Sequence, residues 1–230
     1  MTLNIQLSTD FNPSTVNFSK LRKNKNGGKT VYLNNSNGGS ILLQLPYMRA
    51  PFGLSTFTDE SSKKTSYSLD LSFDNEPEIS EFQDKILALD EIILDLVEKN
   101  ATDWLGKKFN KVVLKEALHK PLVKRSKGDY APTLKLKIMT DMKSGDFIPE
   151  VYNSRRERVD PDTIERGQRV MAIIDLASIW FIDNKFGVSA RLKQCLLAPS
   201  KKLPAFAFQG VPPPEEVLEE EEEEEGEIDM

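Results

Sequence analysis

The chain has 230 residues, 39% of them hydrophobic and 29% charged, enough apolar mass for one good core and an appendage. A single cysteine, Cys195, and a single histidine, His119, exclude an internal disulfide and a Cys/His zinc site, and point to an intracellular protein. The formal charge of −5 conceals a split: 11 of the 36 acids fall in the last 16 residues, so the part before Glu215, which holds all 31 Lys and Arg, carries +6.

The opening MTLNIQLSTDFNPS has no basic segment followed by an apolar run, and no stretch reaches about 18 uninterrupted apolar residues, so neither secretion nor a membrane span is expected. From Val16 the pattern is β. TVNFSKL, KTVYL and SILLQLPYM are separated by Asn26-Gly27-Gly28 and Asn37-Gly38-Gly39, turn signals that predict a three-stranded meander with two-residue hairpins. YSLDLSF then alternates, with Tyr67, Leu69, Leu71 and Phe73 on one face and Ser68, Asp70 and Ser72 on the other.

After Pro77 the period changes. Ile79, Phe82, Ile86, Leu89, Ile93 and Val97 recur at spacings of three and four, which predicts a long amphipathic helix ending near Asn100. A shorter helix is expected over Lys107 to Leu118. TLKLKIM reads as a strand with Leu134, Leu136 and Ile138 inward and Lys135 and Lys137 outward. Residues 141 to 168 form an excursion with one strand at FIPEVY. RVMAIIDLASIWFI, a turn at Asp183-Asn184-Lys185 and FGVSARLKQCLLA give the strongest β signal. From Pro212 the Pro and Glu composition cannot bury enough surface to offset ordering entropy, which predicts disorder. No internal repeat is evident. Strands, one long helix, then more strands predict a mainly β (α+β) chain. A five-stranded Greek-key barrel of the OB type, with extra strands and the long helix inserted between its third and fourth strands, has this layout, as does a β-sandwich with a helical insertion. The expected organisation is a nucleic-acid-binding domain over residues 1–205 and a linker with a disordered acidic tail over 206–230.

Catalytic readings fail early. NGGKT at residues 26–30 lacks the glycine that a phosphate-binding loop requires at position 23, which is Lys23. His119, between Leu118 and Lys120 near a helix end, suits capping or simple exposure better than nucleophilic catalysis. No pair of carboxylates is singled out by spacing, and no metal or cofactor is expected.

The basic residues say more. Lys107, Lys108, Lys111, Lys115, Lys120, Lys124, Arg125, Lys127, Lys135 and Lys137 face two acids between Leu105 and Lys137, whereas residues 51–100 carry twelve acids and four bases. A single lysine is usually a solvated surface group, but segregation on this scale favours a polyanionic ligand. Single-stranded nucleic acid also needs exposed aromatic faces. Tyr47 and Phe52 flank Arg49, Tyr130 follows Arg125 and Lys127, and Phe186 adjoins Lys185. Ser189, Arg191 and Lys193 share one strand face. Phe73, Phe82, Trp180 and Phe181 read as core.

Two stretches, LPYMRAPFGLS (45–55) and SIWFIDNKFGVSARLKQCLL (178–197), resemble the replicative single-stranded DNA-binding proteins of large eukaryotic DNA viruses, especially the algal ones. That group is similar in turn to phage replication proteins that combine an OB-fold with an acidic C-terminal tail. The resemblance covers roughly residues 15 to 200, and the tail by composition. It implies non-specific single-stranded DNA binding in replication, repair or recombination, at a viral replication site in the host nucleus or cytoplasm. It also implies a tail, Glu219, Glu220, Glu221, Glu222, Glu223, Glu224, Glu225, Glu227, Ile228, Asp229 and Met230, that contacts replication proteins such as a DNA polymerase, primase or helicase, and it leaves room for a homodimer. Where the phage and bacterial analogues end in an aromatic residue, this chain departs from the pattern, with Ile228 or Met230 as the candidate for a smaller apolar anchor. Two further readings compete: an acidic-tailed chaperone or scaffold for basic partners, and a metal-dependent nuclease built on carboxylates.

Overall fold

Alternation of apolar and polar side chains shapes five strands that share one interior: β1 (Leu42–Ala50), β2 (Thr65–Ser72), β3 (Thr133–Ile138), β4 (Gln168–Ile182) and β5 (Lys185–Leu197). The structure is a computed structural model that describes residues 4–24, 27–126, 128–199 and 207–211. The chain divides into two units, Met1–Pro199 and Ser200–Met230; every element named below lies in the first. The acidic tail lies outside the described residues.

Pairing runs in a closed circuit, β1–β2–β3–β5–β4–β1. All contacts are antiparallel except β3 with β5, which run parallel and meet at one pair, Lys137 opposite Arg191. Toward the first residues of β3 and β5 the two strands part, and the segment 119–124 fills the gap. His119 and Lys120 pair with Phe186 and Gly187 of β5, while Val123 and Lys124 pair with Leu134 and Thr133 of β3. Inside the circuit lie Leu43, Leu45, Met48, Leu69, Leu71, Leu134, Leu136, Ile174, Leu176 and Leu192, all essentially buried. Each such side chain contributes about 1.5–3 kcal/mol through removal from water.

The helix α1 (Pro77–Lys99) starts with proline at its first turn and ends at Asn100, whose Nδ2 donates to the Leu96 carbonyl at 2.8 Å. Its stripe Ile79, Phe82, Ile86, Leu89, Ile93 and Val97 joins the barrel core. In chain order α1 falls between the second and third strands of the circuit, not between the third and fourth. No helix among the described residues is long and apolar enough to cross a membrane.

Several sequence expectations need correction. The strand Lys29–Asn34 does not pair with β1; both flank β4. Irregularities in the β4 register redirect that strand, so its first half faces β1 and its last residues face Lys29–Asn34. The meander therefore stops after its second strand. Backbone bonds from Asn35 to Gly39 and from Gly38 back to Asn35 close a three-residue loop, not a two-residue one. The two-residue turn is Asp183–Asn184, where both residues have positive φ, 49° and 62°, the mirror-image geometry that matches strand twist. The helix expected from Lys107 starts at Lys111, because the Asn110 side chain caps it by accepting from the Val113 N–H at 2.9 Å.

A strand absent from the sequence reading, Leu54–Thr58, pairs with β2. It follows β1 after a sharp bend at Gly53, where φ is +62° and an added Cβ would sit 2.5 Å from the Ile164 carbonyl oxygen. Only glycine fits there. Gly53→Ala is expected to destabilise the protein by about 1–3 kcal/mol, measured as a lower urea midpoint at unchanged slope; a midpoint equal to that of the parent would show that the bend relaxes freely.

Candidate nucleic-acid interface

The alternation that buries Leu134 and Leu136 turns Lys135 and Lys137 outward, and the same rule sets Ser68 and Asp70 of β2 and Ser189, Arg191 and Lys193 of β5 on the outer face. Cross-strand pairing aligns Ser68, Lys137, Arg191 and Asp175 in one row across four strands. Beside it, a cleft of about 500 Å³ is lined by Met139, Ile148, Ile173, Arg191 and Lys193.

Three cations on this face already have partners. Lys135 lies 3.2 Å from Asp70, and Lys193 lies 3.6 Å from Asp175. Arg49 engages Asp74 through two nitrogens at 2.9 and 2.7 Å and also donates to Ser72. This hydrogen bonding raises the Arg49 pKa and, with the Ser72 hydroxyl, holds the Asp74 carboxyl below its ordinary range against an opposing effect of burial. Lys137 and Arg191 differ: among the described residues neither has a carboxylate within 4.0 Å. Burial, and then the positive charge of Arg191, push the Lys137 amine below its usual value. Two adjacent cations, neither held in an ion pair, form a site that can take an anion.

The expected site residues separate into groups. Arg191, Lys137, Lys135 and Lys193 share the outer face with Arg49. Tyr47 is half-buried, and its carbonyl accepts from Arg169 at 2.7 Å. Phe52 is exposed at the bend, and Tyr130 is 82% exposed in the loop before β3. Arg125, Lys107 and Lys108 are exposed on loops and turns, and Lys185 is exposed at the start of β5; Lys127 lies outside the described residues. Lys111 does not present a free charge, because it pairs with Asp95 and, at 3.1 Å, with Glu91 on α1. Phe186 is a correction: it is 0% exposed, stacked between His119 and Phe181 at centroid distances of 5.1 and 5.9 Å. The two-residue turn sets it directly opposite the core residue Phe181, so it points inward.

His119 is likewise buried rather than exposed, with Nε2 3.4 Å from Asp90 Oδ1, while the other Asp90 oxygen accepts from the Leu122 N–H at 3.0 Å. Cys195 is buried, and burial pushes its thiol up to about 12, far from a reactive thiolate at neutral pH. Among the described residues no three His, Cys, Asp or Glu side chains gather as a metal site.

Two aromatics escaped the sequence reading. Phe57 is 66% exposed and pairs with Ser66, which sets it on the face of Ser68 and Lys137. It stands at the base of a turn held by Asp59, whose carboxylate accepts from Ser61 and Ser62 and is lowered to about 2. Exposed Lys63 and Lys64 follow. Alternation in LSTFT was the available signal, but the run is too short and polar to stand out. Trp180, read as core, sits on the outer side because its neighbours Ile179 and Phe181 point inward.

The model of the family of unknown function DUF5871 matches residues 64–209. The uncharacterized protein L291 of Acanthamoeba polyphaga mimivirus is 29% identical over 160 residues, which is 67% of this chain and 25% of that protein. The chain thus spans about a quarter of the length of that curated relative. Among solved structures, gp2.5, a single-stranded DNA-binding protein of bacteriophage T7, is similar with a TM-score of 0.44 at 16% identity, over 75% of this chain and 97% of the other. The bacteriophage Enc34 single-stranded DNA-binding protein in complex with ssDNA gives 0.39 at 16% identity, over 81% and 97%. At such TM-scores the function of this chain has to come from its own side chains.

The Arg49–Asp74 contact carries a pH signature. Because the folded-state pKa of Asp74 is lowered, its contribution is fully present above the ordinary carboxylate pKa of about 3.9 and is lost as pH falls through the folded value. Asp74→Asn is expected to cost roughly 1 kcal/mol at pH 7, the partial exposure limiting the figure. Thermal unfolding of both proteins from pH 7 down to pH 2 checks this: the gap between them narrows with acid, and a gap independent of pH would assign the effect to packing.

Proposed function

We propose that this chain, which belongs to the family of unknown function DUF5871, binds single-stranded DNA without sequence preference on the outer face of β2, β3 and β5. The observation that carries this reading is the Lys137–Arg191 pair, two cations side by side without a carboxylate partner at the centre of a polar sheet face. A phosphodiester backbone supplies anions at regular intervals and gains affinity by releasing counterions. Exposed aromatic rings such as Phe57 and Tyr130 supply stacking surfaces that any base satisfies, worth about 1–3 kcal/mol per base. The closed circuit and the parallel β3–β5 contact support a five-stranded Greek-key barrel of the OB type, a fold suited to this task. The viral relative supports a viral setting; the proposed role within it is in DNA replication, repair or recombination inside the infected cell, as a binding protein rather than an enzyme.

The acidic tail completes the proposal. Its 11 acids mimic phosphates and compete for the basic face; DNA displaces them and frees the tail to recruit a polymerase, primase or helicase. Fully extended, the last 16 residues span roughly 50 Å.

Fluorescence anisotropy of a labelled oligo-dT at several salt concentrations tests both parts. Lys137→Ala and Arg191→Ala should each weaken binding and reduce the slope of log affinity against log salt by about 0.7; a double variant that binds as the parent does would sink the interface. A form ending at Pro214 should bind more tightly than the full chain. Equal affinity would remove the competition, and an interaction with basic proteins that vanishes on truncation, with no DNA binding, would favour the scaffold reading.

A further inference from the structure

The first turn of the β4–β5 hairpin carries a second feature on the same outer face. Trp180 of β4 stands opposite Gly187 of β5, while the next pair, Phe181 and Phe186, is buried. The indole therefore lies on the outside, against a residue with no side chain. A Cβ on Gly187 would come within 2.9 Å of Trp180 Cζ2 and 2.7 Å of the Lys120 carbonyl oxygen, so the ring and the inserted 119–124 segment occupy the space that any other residue would fill.

Further rings and charges surround this indole. Trp180 pairs with Thr30 on its other side, and Tyr32 pairs with Ser178 two positions along, so Tyr32 and Trp180 are diagonal neighbours about 7 Å apart on one face. Tyr32 is 40% exposed, and the Arg22 guanidinium lies 5.4 Å from its ring centroid. Lys120 is exposed beside Gly187, and Lys124 is exposed opposite Thr133. Arg22, Lys120 and Lys124 have no carboxylate within 4.0 Å among the described residues. A partly exposed indole, a neighbouring tyrosine and three uncompensated cations match an unpaired nucleobase with its flanking phosphates.

We propose that Trp180, seated on Gly187, is a base-stacking platform, with Tyr32 as its neighbour and with Arg22, Lys120 and Lys124 holding the adjoining phosphates. The proposal rests on the single-stranded DNA reading and extends the path of the strand from the Lys137–Arg191 pair, along β5, to the β4–β5 hairpin.

The chain has two tryptophans, and Trp104 is buried, so Trp104→Phe leaves Trp180 as the sole emitter. Titrating that variant with unlabelled oligo-dT should quench its fluorescence, and salt should reverse the quenching. In the full chain, Trp180→Leu should lower oligo-dT affinity roughly 5- to 150-fold, and Trp180→Phe should recover much of the loss, since either aromatic can stack; far-ultraviolet circular dichroism checks that each variant folds. Normal affinity by anisotropy with unquenched Trp180 emission would overturn the platform and leave the Lys137–Arg191 interface standing. No binding by the parent chain in anisotropy would remove the DNA reading itself.

Discussion

The Asp90 carboxylate is the interaction on which the outer face depends. Buried on α1, it receives the Leu122 N–H at 3.0 Å and faces His119 Nε2 at 3.4 Å. This fixes the 119–124 segment between β3 and β5, which otherwise meet at a single pair. A backbone N–H bound to a buried carboxylate is a strong contact, and its loss would strand both groups without partners. Helix and barrel are therefore joined by polar geometry as well as by the apolar stripe of α1. The same segment delivers Lys120 and Lys124 to the outside, so one contact serves both closure and charge.

Charge is distributed by a related economy. The acidic face of α1 takes up Lys111 and Lys115 through Glu91 and Asp95, which removes part of the basic cluster from any external ligand. On the sheet, Asp70, Asp74 and Asp175 engage Lys135, Arg49 and Lys193. Among the cations left without such partners on this face are Lys137 of β3, Arg191 of β5 and Lys120 and Lys124 of the inserted segment. Screening leaves exposed pairs worth little to stability, but they determine which positive charges remain for an anion.

Strand alternation made much of this legible in advance. Lys135, Lys137, Arg191 and Lys193 point outward as their spacing requires, and the stripe of α1 is buried as its period requires. Features that depend on distant backbone were not legible. The bend at Gly53 arises from the approach of Ile164, the 119–124 segment earns its place from a helix some thirty residues earlier, and the pairing of Lys29–Asn34 follows from irregularities in β4. Phe186 and Trp180 exchanged roles for a similar reason. Both stand beside the same turn, and the side each faces is set by the register across it, where a shift of one residue inverts every side chain.

That register ties two positions together across the hairpin. Because the Lys120 carbonyl and the Trp180 ring stand where a side chain at 187 would begin, residue 187 cannot gain one while both keep their places, whereas residue 180 can shrink against an unchanged glycine. A homologue that gains even a methyl group at 187 must have moved the strand carrying Lys120 and displaced or lost the large ring at 180. Glycine at 187 should therefore persist across the family wherever the inserted segment keeps its place, a record of the contact kept in the sequences of its descendants.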